Sequence, residues 1–116
     1  MMMERGTIVA LDAPRVGFLR RSSGGLPAVC VQPSHLSSRM STVVVVPLVE
    51  PTPAESAYPL YVAIEPAESG LSRLHVAVCP LVRGIPLASL RPGLLGRVSD
   101  LTLGRIARTL RLLQGL

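Results

Sequence analysis

Ser41-Thr42-Val43-Val44-Val45-Val46-Pro47-Leu48-Val49 is the strongest strand signal in the chain. Four consecutive valines do not alternate with polar residues, so this strand is predicted to be covered on both faces, centrally in a barrel or at a subunit interface. Apolar runs at 6–11 and 28–32 precede it and read as strands. Pro27 stands just before the second, where a missing amide donor does least harm. Further strands are expected at 60–64 and 74–82, joined through 65–70. Segment 12–25 is read as a long solvated loop, because Pro14, Gly17, Ser22, Ser23, Gly24 and Gly25 break any period while Arg15, Arg20 and Arg21 favour water. Loops of this length are often functional. A polar turn at 33–39 and a second loop at 50–57 separate the remaining strands.

The tail changes period. Leu103, Ile106, Ala107, Leu110 and Leu113 recur at three- and four-residue spacing, which predicts one apolar face of an amphipathic helix. Ser99 and Asp100 supply N-cap chemistry and Gly115 a stop, while Arg105, Arg108 and Arg111 fall on the other side, toward the negative end of the helix dipole. Strands followed by one packing helix indicate an α+β fold, a small SH3-like β-barrel with a C-terminal amphipathic helix. The length of 116 residues fits one domain, 1–116.

Composition narrows the function classes. Hydrophobic residues make up 48% of the chain, which excludes a disordered polyampholyte. The formal net charge is +5, and all twelve basic residues are arginine. Arginine favours forked contacts to phosphate or carboxylate, although high-GC codon usage produces the same bias. Aromatics are scarce: Phe18, Tyr58 and Tyr61 are the whole set, and there is no tryptophan. Cys30 and Cys79 each sit in an apolar run, the usual place of a small buried hydrophobe, and a disulfide between them stays open at this level. With no C-x-x-C pair and no His/Cys ligand cluster, neither a metal site nor a cofactor is expected. No apolar leader opens the chain and no run reaches the roughly 18 residues that span a bilayer, so a cytoplasmic protein with no membrane partner is expected.

The order Arg5-Gly6-x-Ile8-Val9, a long loop, Pro27-Ala28-Val29-x-Val31-Gln32, then Val43 to Leu48 resembles the MazF/Kid/PemK toxins of bacterial toxin–antitoxin modules. Pro59-Leu60-x-Val62, Gly70-Leu71, Ala77-x-Cys79, Leu90, Gly96-x-Val98-Ser99 and the closing helix follow the same spacing. The resemblance implies a homodimeric SH3-like barrel that inhibits growth, cuts single-stranded RNA without a metal, and is neutralised by an acidic antitoxin. Departures fall at the family's functional positions. An arginine that stabilises charge at the scissile phosphate is replaced by Leu26, a threonine or serine by Val49, and a serine and an Asp-Gln pair by His75, Pro80 and Leu81. Leucine and valine can neither donate a hydrogen bond nor transfer a proton.

The sister group CcdB, which poisons DNA gyrase, is also similar in its central strand and its final Leu113-Gln114-Gly115-Leu116. There the last residues make the target contact, which by resemblance assigns Gln114, Gly115 and Leu116, with Gln114 where CcdB has tryptophan. The alternative to a ribonuclease is therefore a non-enzymatic toxin holding a protein such as gyrase, or a catalytically silent member.

Metal-free RNA cleavage needs a base for the 2′-hydroxyl, an acid for the leaving oxygen and fixed positive charge at the phosphorane. Candidate catalytic residues are Arg20, Arg21 and His75, set against the plainer reading of solvated loop arginines and a structural histidine. His35, in the turn after the second strand, is the other histidine. Arg15, Arg20 and Arg21 are candidates for contact with nucleic acid or antitoxin, since complementary charge speeds encounter.

Overall fold

In the computed structural model, which describes residues 4–11, 26–37, 39–91 and 93–115, β3 (Thr42–Val49) is the spine of the sheet. One edge pairs antiparallel with β2 (Leu26–Cys30), from Ala28 opposite Pro47 to Cys30 opposite Val45. The other edge has two partners: β6 (Arg83–Pro86) takes Thr42 to Val45, and β5 (His75–Val78) takes Leu48 and Val49. Pro47 falls where that edge passes from β6 to β5, a place where a strand tolerates a residue with no N–H. Outward from β2 lie β1 (Thr7–Leu11) and the two-residue β7 (Gly96–Arg97), and outward from β5 lies β4 (Tyr61–Ile64). A bridge from Leu11 to Leu90 curls the sheet toward a half-barrel.

Side-chain alternation along these strands makes two cores, one on each face. The first gathers Val9, Leu11, Leu26, Ala28, Cys30, Val43, Val45, Val49, Val76, Val78 and Ile85. The second gathers Ile8, Val29, Val46, Leu48, Val62, Ile64, Ala77, Cys79 and Val98, and is closed by Ile106 of the C-terminal helix α4 (Asp100–Leu113). Val43, Val45 and Val49 feed one core while Val46 and Leu48 feed the other. The expected two-faced burial of this strand is therefore met inside a single chain. Each fully buried valine or leucine contributes about 1.5–3 kcal/mol.

Several expectations are corrected. The second strand starts at Leu26 and ends at Cys30, because β1 holds Leu26 opposite Leu11 and Pro27 opposite Ala10. The run 74–82 is not one strand: Pro80 lies in a 3₁₀ turn, Cys79–Leu81, after which the chain leaves β5 and returns as β6 beside β3. Three expected connections carry single helical turns, α1 (Ser34–Ser37), α2 (Pro53–Ser56) and α3 (Pro66–Ser69). A capping box closes α2, the Thr52 N–H donating to Glu55 Oε1 at 2.9 Å and the Glu55 N–H to Thr52 Oγ1 at 3.3 Å. The loop 12–25, with Arg15, Arg20 and Arg21, lies outside the described residues, as does Leu116. Among the described residues no helix is long and apolar enough to cross a membrane.

Helix α4 begins as expected, with Ser99 Oγ accepting from the Thr102 N–H at 3.2 Å. Its buried face is Thr102, Ile106 and Thr109, with Leu103, Ala107 and Leu110 half-buried. The two threonines escape a reading based on apolar period, yet both are satisfied: Thr109 donates to the Arg105 carbonyl at 2.9 Å, and Thr102 to Glu68 Oε2 at 3.0 Å. Leu113, expected on the apolar face, is 39% exposed in the final turn.

Two contacts seat the helix start against α3. Glu68 Oε1 also accepts the Ser99 N–H at 2.9 Å, so one carboxylate from α3 caps α4. Nearby, Gly96 meets the Ser69 carbonyl so closely that a Cβ would lie 1.7 Å from its oxygen. No side chain fits there. Replacing Gly96 with alanine should destabilise the fold by about 3 kcal/mol or more, while Gly104→Ala, which points into open space on α4, should stabilise by about 0.5–1 kcal/mol; urea unfolding measures both.

Burial raises the Glu68 carboxyl, but hydrogen bonds from the Ser99 N–H and from the Thr102 and Ser99 hydroxyls, with the field of Arg105, outweigh it and the net shift is downward. Glu68 thus binds a proton more weakly when folded. Its stabilisation is present above the ordinary value of 4.5 and is lost as pH falls through the lowered folded value. Glu68→Gln should cost about 1 kcal/mol at pH 7 and flatten the acid limb of a Tm-against-pH curve.

Candidate functional site

The residues at the family-implied positions converge on the face of the first core. Leu26 opens β2 and is 2% exposed, and Val49 closes β3 and is 4% exposed. Both belong to the same core cluster, Leu26 held opposite Leu11 and Val49 opposite Val76. Leu81 packs against the same cluster, and Pro80 stands exposed beside it in the 3₁₀ turn. Positions that would hold a cation, a hydroxyl and two polar groups thus hold carbon, Leu26 and Val49 inside the first core and Leu81 and Pro80 at its edge. These side chains offer no proton donor or acceptor.

His75 is not part of this group. It alternates with Val76 and Val78, so it lies on the helix-covered face with Ala77, and it is 5% exposed. Its Nδ1 donates to the Arg73 carbonyl at 2.9 Å, which leaves Nε2 as a buried acceptor with no hydrogen-bond partner among the described residues. The fold therefore separates His75 from Leu26 and Val49 by the thickness of the sheet. His35, in α1, is exposed. Gln114 and Gly115 follow α4 on the surface.

Arg83 carries a charge onto this face that the residues alone did not point to. It stands opposite Val45 in the β3–β6 ladder, so its side chain shares the face of Val43, Val45 and Val49. It is partly buried, with Nη1 shielded from water. Four residues of β3 separate its register position from Val49, about 13 Å at strand rise. The signal was available in principle: Arg83 and Ile85 alternate with Gly84 and Pro86. It was hidden because 74–82 reads as a single strand that ends before it.

At the rim of the same face lie the two tyrosines. Tyr61 packs against the first core and Tyr58 is 46% exposed, their ring centroids 4.7 Å apart and their planes at 77°. With Ala54, Glu55 and Pro80 they line an open cleft of about 310 Å³. No group of three or more His, Cys, Asp or Glu positioned to hold a metal occurs among the described residues.

Neither cysteine reaches solvent as a nucleophile. Cys30 and Cys79 are free, buried and on opposite faces of the sheet, and burial pushes the Cys30 thiol up and the Cys79 thiol to about 11. A thiol that stays protonated and shielded does not attack disulfides. Both should resist a disulfide reagent in the native protein at pH 8 and react, two per chain, after unfolding in guanidinium.

The family model described as PemK-like, MazF-like toxin of type II toxin–antitoxin system matches residues 4–113. Among solved structures, MazE–MazF (Form-II) from Deinococcus radiodurans is 22% identical, covers 100% of this chain and 98% of its own, and superposes with a TM-score of 0.76. An endoribonuclease from Mycobacterial species is 21% identical over 100% of this chain and 94% of its own, with a TM-score of 0.76. Mycobacterium tuberculosis toxin MazF-mt6 is 15% identical over 95% and 97%, at 0.73. A search of curated proteins gives no significant match.

Proposed function

The chain belongs to the PemK-like, MazF-like toxin family of type II toxin–antitoxin systems, and on that premise we propose that it is a growth-inhibiting endoribonuclease of low turnover. Its substrate in this reading is single-stranded RNA, cut without a metal or cofactor. It works in the cytoplasm as a homodimer and is held in check by an acidic antitoxin.

The observation that carries this reading is Arg83, a guanidinium on the same sheet face as Leu26 and Val49. With its register position about 13 Å from Val49 along β3, it holds a neighbouring phosphate and does not sit at the scissile one. Charge at the cut falls to Arg20 and Arg21 of the first loop, beside Arg15. Losing one preorganised charge stabiliser lowers turnover by about 10²–10³, which is why the low rate belongs to the proposal. The net charge of +5 supports attraction of RNA and of an acidic antitoxin alike. Exposed Leu94 and Leu95, just before the edge strand β7, and Leu101 on the first turn of α4 support a subunit interface, since edge strands and exposed leucines are commonly covered by a partner.

A specific observation favours a second reading. Leu26 and Val49 are buried carbon where the resemblance implies polar groups, which suits a non-enzymatic toxin that holds a protein, in the manner of CcdB on gyrase, or a silent member.

Incubation of the purified protein with a long mixed-sequence RNA in EDTA separates the readings. Slow cleavage is expected, reduced by Arg83→Ala and by Arg20→Ala with Arg21→Ala. Intact RNA with the folded wild type would reject the ribonuclease. Inhibition of gyrase supercoiling that vanishes on deleting Gln114 to Leu116 would then favour the second reading.

A further inference from the structure

In a chain with three aromatic residues, placing two of them together on the surface is a costly use of the set. Tyr61 is anchored against the first core, whereas Tyr58 sits in the segment between α2 and β4 and leaves nearly half its surface in water. Their planes meet at 77°, so the two rings form two walls of a corner. A flat ligand can stack on one wall while its edge meets the other. Pro80 and Ala54 add apolar contact, and about 310 Å³ lies at the small end of ligand pockets, room for one ring system and not for a chain of them.

Glu55 supplies direction. Its carboxylate is fixed by the capping box, Oε1 accepting the Thr52 N–H at 2.9 Å, and it borders the cleft. An ionised carboxylate only accepts, so the edge it reads must donate. Cytosine, adenine and guanine each present an exocyclic amine. Uracil presents one N–H between two carbonyl oxygens, which a carboxylate repels.

We propose that the Tyr58–Tyr61 cleft is a stacking subsite for a single amino-bearing nucleobase of single-stranded RNA, read by Glu55. The inference rests on the RNA-directed reading above and deepens it, because it assigns a base preference to a cleft that Pro80 borders. Stacking, and not phosphate charge, supplies the affinity here, as suits a cleft whose one charged residue is an acid. The cleft opens at the rim of the face that carries Arg83, so a strand held by arginine forks there can drop one base into the corner.

The chain has no tryptophan, so its intrinsic emission comes from Tyr58 and Tyr61 alone, both in the cleft. Titration with oligo(A), oligo(C) and oligo(U) RNA of equal length should quench that emission, with A and C binding about tenfold more tightly than U. Tyr58→Ala should weaken A and C binding by about 10- to 100-fold, measured by anisotropy of labelled oligonucleotides, and Tyr58→Phe should not. Glu55→Gln should abolish the preference over U while keeping the fold, because glutamine serves in the same capping box. Wild-type RNA affinity in Tyr58→Ala would overturn the subsite and leave the RNA reading standing. Failure of the wild type to bind any RNA would overturn both. Quenching by an acidic peptide and by none of the RNAs would assign the cleft to a protein partner and also overturn the proposal.

Discussion

Everything in this fold hangs on a strand with no solvent face. β3 sends Val43, Val45 and Val49 into one core and Val46 and Leu48 into the other, and it has strand partners on both edges. A register slip of one residue would exchange the two sets, but both are apolar, so side-chain polarity alone does not pin the register. Position is set instead by Pro47, which must fall between β6 and β5, and by shape complementarity within each core. The rest of the sheet is arranged around that placement.

The helix end of the molecule is held by contacts of a different kind. Glu68 reaches from a single-turn helix to take up the Ser99 amide and the Thr102 hydroxyl, and Gly96 lets its strand lie against the Ser69 carbonyl. These polar and steric details fix where α4 starts, and α4 then closes the second core through Ile106. The first core lies on the face away from α4. It is the face that carries the altered family positions, Arg83 and, at its rim, the tyrosine cleft.

That distribution changes how the composition is understood. An arginine-rich, aromatic-poor chain reads at first as a general binder of nucleic acid. Placed on the fold, the chemistry is divided: Leu26 and Val49 are buried in the first core, Arg83 stands some distance along β3, His75 is buried on the opposite face, and Tyr58 and Tyr61 make a corner beside Pro80. Family membership and activity are therefore different questions for this protein. The fold is the family's, while the arginine, the threonine or serine and the Asp-Gln pair that the resemblance implies are replaced by Leu26, Val49, Pro80 and Leu81.

Much of this architecture was legible in the residues. The uninterrupted valines announced a strand buried on both sides, and the three- and four-residue period with Ser99 before it announced α4, because burial and capping act locally and leave a periodic trace. The sequence also determined what Leu26 and Val49 cannot do, since no fold gives an alkyl group a proton to transfer. It did not determine which face a residue would occupy once Pro80 broke the expected strand, nor that Thr102 and Thr109 would be buried, since each depends on a partner distant in the chain. Only the tertiary structure decided that Arg83 shares a face with Val49 and that His75 does not. Those are facts of strand register and sheet sidedness, and they arise from pairing between segments that the sequence places apart.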